Sequence, residues 1–453
     1  MAPSADLLRD PKAAWSPWRP TDSDPWDEGK AAHLHRRAGL GATWSQVRRD
    51  VAEGFEPSMR RVLDGESHGP DGRPAAEFAE IVDAMVASAR REPDIERVQY
   101  LWLFRLIFTT HALAERMTLA WHSHYATSYD KVRNPLPMLD QNLALRELWR
   151  STIAQLHLRM LRDPAMIIWL DGLGSRKLRP NENLAREFLE IFALGEGNYT
   201  ETDIRAVARA LTGWVGQPYN PDQIRFDADE HDAGDKTLFG QTGPWGTEDV
   251  VRIVGAQPAA AVHIARRLFR TLVADAIEPP AGLLESLAAA MRKDGDVDLA
   301  RGIELILHSR LFYSTLCRGK RVKGPVELVV GAIRACERFD PPPDLVELDG
   351  WLTRMGQRLF HPPNVAGWPD GLSWLRGPTL LARAGFAAAG TTSDEASAER
   401  VARKYGLERP QDWAKALVTL IVGAPQAPDT RGAAPSFGAI ASDVLARPEA
   451  QLA

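Results

Sequence analysis

The chain has 453 residues, 44% of them hydrophobic and 25% charged, an ordinary globular make-up with material for two or three packed units at roughly 150 residues each. Its 55 basic residues against 60 acidic ones leave a formal net charge of −5 without a long basic run, so no nucleic-acid partner is expected. The 2 cysteines exclude a disulfide framework and a four-thiolate metal site, and no stretch approaches the roughly 18 apolar residues of a membrane span.

Residues 1–25 mix Pro, Asp, Ser and Trp without periodicity, which predicts an irregular arm, disordered or laid over the surface. The first 20 residues hold no apolar run of the kind a secretory signal needs, so cytoplasmic residence is the expectation. Thr43 is placed to cap a helix ending before Gly54, and a second short helix runs from near Pro57 to Gly65. From 74 to 128 the pattern is helical almost throughout, with Leu101, Phe104, Leu106 and Ile107, then Leu113, Met117, Ala120 and Trp121, supplying apolar faces. Asn134-Pro135-Leu136-Pro137 breaks it, one helix is expected over 138–161, and Asp163-Pro164 opens a short one.

A basic loop at 172–180 leads to two strong helices, 181–194 and 200–214. Residues 217–245 are dense in Gly, Pro and Asp, and the alternation at 224–227 with 237–240 fits a small β-hairpin or extended excursion acting as a lid or wall. Helices resume at 247–255, 258–274, 281–293, 297–308, 323–339 and 345–360, followed by a Pro/Gly/Trp loop at 361–378. Three further helical stretches, broken at 390–393 and 424–437, complete the chain. The fold class is therefore mainly α, a multi-helix, bundle-like protein. It divides into the arm 1–25, a helical core 26–215 with a candidate polar site, the excursion 216–245, a second helical unit 246–390 and a helical tail 391–453.

Gly234-Asp235-Lys236-Thr237 ends like a phosphate loop but has Asp between Gly and Lys and no upstream Gly, so it lends ATP binding no support. The acidic run Asp227–Asp232 matches a calcium loop only in composition. No H-E-x-x-H, G-x-S-x-G or dinucleotide fingerprint is present. Taken together, the segments 32–41 (AHLHRRAGLG), 115–128 (ERMTLAWHSHYATS), 181–195 (NENLAREFLEIFALG), 197–214, 231–240 (HDAGDKTLFG), 322–331 and 355–374 (MGQRLFHPPNVAGWPDGLSW) resemble the domain-of-unknown-function 1800 family. The resemblance covers about residues 30–388. It implies no assigned activity, no agreed cofactor and no catalytic residues to carry over. Many members of that family resemble exported proteins with an N-terminal signal, which this sequence lacks.

The candidate site residues are polar groups bordering apolar stripes. His122 and His124 are two residues apart, about 200° on a helix, so both reach one ion only where the helix ends or distorts. The wheel places His124 on the apolar stripe and His122 opposite; His124 is either a core histidine bonded to a carbonyl or carboxylate, or a ligand or acid–base group. On 181–194, Asn183, Glu187 and Glu190 share a face beside the Leu184–Phe188–Ile191–Phe192 stripe. Glu187 there is a general acid–base candidate or a member of an ion-pair network with Arg186, Arg205 or Arg209. His231 and Asp232 sit in the excursion, His361 and Asn364 in the proline-stiffened loop, and Trp214, Trp368 and Trp374 suit either ring stacking or the core.

Two functions follow. One is a hydrolase, with Glu187, Glu190, His124 and Asp232 as catalytic groups, with or without a divalent transition metal on His122, His124 and His231. Asn183, Arg209, Trp214, His361, Asn364, Trp368 and Trp374 would hold a carbohydrate or other polar small molecule or polymer. The other is a non-catalytic scaffold or binding protein in which the same residues form structural networks.

Overall fold

Helix ends in this chain are written locally, by caps. Thr43 accepts from the Gln46 N–H while the Gln46 side chain answers the Thr43 N–H at 3.0 Å, starting the helix Trp44–Glu53, and Gly54 and Gly65 end this helix and the next, Phe55–Asp64. The same reciprocal box opens Ile153–Leu161 at Thr152 and Glu201–Ala210 at Thr200. A computed structural model describes residues 7–218, 220–389, 394–423 and 436–453. Residues 1–6 of the expected arm, the break at 390–393 and most of the segment from 424 lie outside the described residues.

The protein is mainly α, with three two-stranded antiparallel sheets among the described residues. The helix expected over 138–161 is two, Pro135–Glu147 and Ile153–Leu161, because Thr152 supplies a new N-cap after the turn at Trp149–Ser151. The excursion forms two hairpins instead of one pairing 224–227 with 237–240. β1 (Trp214–Gln217) pairs with β2 (Asn220–Phe226), and β3 (Lys236–Leu238) pairs with β4 (Gln241–Gly243). The third sheet, β5 (Arg292–Lys293) with β6 (Asp296–Val297), closes around Asp294-Gly295. No described helix is long and apolar enough to cross a membrane.

One contiguous cluster of buried apolar side chains runs from Leu7 to Ala450. The described part of the arm belongs to it: Trp15 donates to the Leu283 carbonyl at 3.0 Å, and Trp18 packs edge-on against Phe55 and tilted against Tyr313. Helix C-termini buried in this cluster cannot leave their last carbonyls to water, and long basic side chains from distant helices serve them. Arg334 donates to Leu106 O at 2.8 Å and Ile107 O at 3.1 Å, and Arg36 to Thr419 O at 2.7 Å and Leu420 O at 3.0 Å. Arg37 donates to Leu272 O at 3.2 Å and also to Val273 O.

Buried carboxylates are matched in the same way. Burial alone would raise the Glu115 carboxyl, but Arg146 (2.6 Å) and Arg105 (3.1 Å) hold it at about 2; burial of Asp50 is likewise overcome by His35 at 2.7 Å and Arg61, again to about 2. Both groups have lower pKa values folded than unfolded (4.5 and 3.8), so their stabilisation is complete above those values and is lost as pH falls towards 2. His122 and His157, held neutral by burial down to about 3, add to the loss below their usual 6.5, while Asp163, pushed up to about 6 by burial, opposes it at one site. Urea unfolding followed from pH 7 to pH 3 should therefore show falling stability, and Glu115→Gln should flatten the acid limb while lowering stability at pH 7 by about 3 kcal/mol. A wild-type curve flat to pH 3 would contradict this.

Candidate anion-binding site

Ten of the thirteen residues of the helix Ala112–His124 are buried, and only Ala112, Ala120 and Ser123 are partly exposed. Its positions Arg116, Leu119, Ala120 and Ser123, spaced i, i+3, i+4 and i+7, line one wall of a polar cavity of about 80 Å³. That is several times the roughly 10–15 Å³ one water needs, and suits a small charged group better than a whole sugar ring. The helix Pro258–Leu272 contributes Arg267, Arg270 and Thr271, also at i, i+3 and i+4, and Asp275 follows just beyond its end. Arg321, Gly324, Glu327 and Gln357 close the floor, and the loop Trp368–Asp370 with Trp374 forms the roof.

Loop and helix meet without a gap. Gly367, at φ +90°, sits where a Cβ would stand 2.1 Å from the Ser123 carbonyl oxygen, so a bare glycine is what lets Trp368 lie over Ser123. Asn364 turns the chain just before, accepting from Ala366 N–H at 2.9 Å.

Glu327 organises the floor. It occupies the third position of Pro325–Ala335 and takes the Gly324 N–H at 2.8 Å, both oxygens of its carboxylate face Arg321 at 2.5 and 2.7 Å, and Arg116 closes on it from the opposite helix. Burial would raise this carboxyl; the two guanidiniums hold it at about 2. Arg116 also donates to Thr271 O at 3.0 Å, and burial followed by Arg321 lowers it to about 9, still cationic at neutral pH. Arg267 donates to Ala120 O at 2.9 Å.

After these contacts several polar atoms of the lining residues remain without a protein partner. The Nε–H groups of Arg116, Arg267, Arg270 and Arg321 and the indole N–H of Trp368 are buried without a protein partner, as is Asp275 Oδ2. Asp275 Oδ1 accepts from Val322 N–H at 3.3 Å; burial raises this carboxyl against the pull of Arg321 and Arg37. In two wider clefts of about 370 Å³ the arginines are already paired, Arg105 and Arg146 by Glu115 in one and Arg252 by Asp249 in the other, where Glu248 also takes Arg162.

Of the residues singled out from sequence, Trp368 and Trp374 line this cavity, as buried walls with 6% and 4% exposure. His122, expected on the less buried side, is fully enclosed by Trp102, Phe360 and Trp368, and neither ring nitrogen has a protein partner. His124 instead reaches the carbonyl of Phe192 at 3.0 Å, and His263 that of Ile191 at 2.8 Å. Those carbonyls belong to the last turn of 181–194, which is an α-helix only over Glu182–Glu187 and a π-helix over Phe188–Leu194. Glu190 accepts from Tyr199 at 2.5 Å, Glu187 is half-buried without a protein partner, and Asn183 is exposed.

The remaining candidates hold the hairpins and the proline loop. Asp232 takes a bidentate Arg209 at 2.6 and 3.1 Å, His231 contacts Thr212 O at 3.0 Å, and Lys236 donates to Asp232 O and Gly234 O. Trp214 meets Phe226 edge-on, and His361 pairs with Asp130 at 3.0 Å. Among the described residues no group of three or more His, Cys, Asp or Glu side chains is placed to hold a metal ion. Arg116, Arg267, Arg321, Asp275 and Glu327 were not singled out from sequence, although Arg267 and Arg270, three apart on one helix, were visible there.

Removing the charge of Glu327 leaves two buried guanidiniums facing each other. Glu327→Gln should lower the free energy of unfolding in urea by about 3–5 kcal/mol; a loss below about 1 kcal/mol would mean that this network does not hold the floor together.

Comparison with known proteins bears on all of these segments. No curated protein and no solved structure matches the chain. The family model described as Protein of unknown function (DUF1800) matches residues 33–452, which takes in every residue of the cavity. The chain belongs to that family.

Proposed function

We propose that this protein recognises a ligand through a small oxyanion held in the arginine cavity. The observation that carries the reading is the set of buried N–H donors on Arg116, Arg267, Arg270, Arg321 and Trp368 that no protein group satisfies. A buried donor without an acceptor costs about 1–3 kcal/mol, and five around one cavity are accounted for together by an acceptor with several oxygens. The lining also holds four guanidiniums against three carboxylates, Asp275, Glu327 and Asp370, a balance that favours an anion. The cavity opens beside exposed Pro369 and Asp370, so the ligand's oxyanion end would enter there and the rest would remain outside.

Inorganic phosphate, sulfate and acetate, titrated separately by calorimetry at low ionic strength, probe this reading. At least one should bind, and Arg267→Met should weaken it about tenfold or more, whereas Arg403→Met, at an exposed side chain away from the cavity lining, should not. Failure of all three anions to bind would refute it.

A hydrolase centred on Glu187 draws support from a separate observation. Burial, then the neighbouring Glu190, raises this carboxyl above its ordinary range, and it has no protein partner, as a general acid requires. Under this reading Glu187→Gln abolishes turnover of chromogenic glycosides or esters while the melting temperature stays within about 2 °C. Lost stability with no turnover in the wild type favours the scaffold alternative.

A further inference from the structure

Donors dominate the cavity, yet one of its unsatisfied groups is an acceptor. Asp275 Oδ2 is buried without a protein partner, and it lies close to the loop that carries the roof: a Cβ on Gly371 would stand 3.9 Å from it. Its other oxygen is already taken by Val322 N–H at 3.3 Å. Four guanidiniums and an indole N–H suit any oxyanion, but a carboxylate oxygen beside them suits only one that carries a hydrogen. An oxyanion with no proton would set two acceptors against each other in a buried site, which is repulsive and leaves both unsatisfied.

We propose that the cavity selects a phosphate group that carries a P–O–H, which donates to Asp275 Oδ2 while the arginines hold its other oxygens, and that it rejects fully ionised sulfate. This rests on the oxyanion reading above and adds the ligand class to it. The chemistry is met by inorganic hydrogen phosphate, which keeps a P–O–H at neutral pH, and by a phosphate monoester while it is a monoanion, below its second pKa of about 6.

The groups bearing on Asp275 are Arg321 and Arg37, which stabilise its charge, Glu327, which opposes it, and the Val322 N–H. Across the cavity lie Arg116, Arg267, Arg270 and Asp370. Burial raises the Asp275 carboxyl, which favours its protonated, donating form as the pH falls. Once protonated it no longer repels sulfate.

Calorimetry with inorganic phosphate, methyl phosphate and sulfate on the full chain tests the inference. At pH 7.5 the wild type should prefer inorganic phosphate to sulfate by about tenfold or more, and Asp275→Asn, whose amide donates, should reverse that order. If Asp275→Asn fails to fold, the preference of the wild type for inorganic phosphate over sulfate at pH 7.5 carries the test alone. Methyl phosphate binding that weakens above pH 6 while inorganic phosphate binding persists identifies free phosphate as the better-suited source; parallel profiles that both hold to pH 7.5 overturn the P–O–H requirement. Equal affinity for phosphate and sulfate, unchanged in Asp275→Asn and with pH, overturns the selectivity and leaves the oxyanion reading standing. No binding of any of the three overturns both.

Discussion

The carboxylate of Glu327, gripped by Arg116 on one side and Arg321 on the other, ties together two parts of the chain that are far apart in sequence. Arg116 belongs to a helix of the first third, Arg321 to the loop before Pro325–Ala335, and Glu327 itself caps the N-terminus of that helix. A charge buried this deeply is tolerated only when matched, and the match brings the helices to one place. Arg116 then reaches Thr271 O, which docks the end of Pro258–Leu272 on the same spot. The cavity is the space left where these elements meet.

Its character follows from how the helix ends are satisfied. A guanidinium has five N–H donors in a planar fork, and a carbonyl or carboxylate engages only some of them. Arg267 spends one arm on Ala120 O, and Arg116 spends its arms on Thr271 O and Glu327, which leaves Nε–H groups with no protein acceptor. Structural capping and anion affinity thus come from the same side chains.

The π-helix Phe188–Leu194 illustrates a related economy with histidines. His124 and His263, both made less basic chiefly by burial, donate to the Phe192 and Ile191 carbonyls at its end, and Asn198 donates to that of Leu194 at 3.1 Å. The ring of His124 could be read from sequence as a core histidine bonded to a carbonyl, but not which carbonyl, because the wider π turn is set by packing. The wheel set His122 opposite the apolar stripe, yet its ring is as buried as that of His124, because the wheel assumes one exposed face and both sides of Ala112–His124 are packed at this level. Trp368 and Trp374 could be singled out from their loop chemistry; that their roof covers arginines could not.

What the sequence determined by itself was local: where helices begin and end, because Thr43, Thr152, Thr200, Gly54 and Gly65 act within one turn of their own position. The mainly α class and the extended excursion belong to that same level, as does family membership through short runs of residues. The convergence of Arg116, Arg267, Asp275, Arg321 and Glu327 was decided only by the tertiary structure. These groups lie as far as two hundred positions apart, and they are held together by the cost of burying charge without a partner, which no single segment can express.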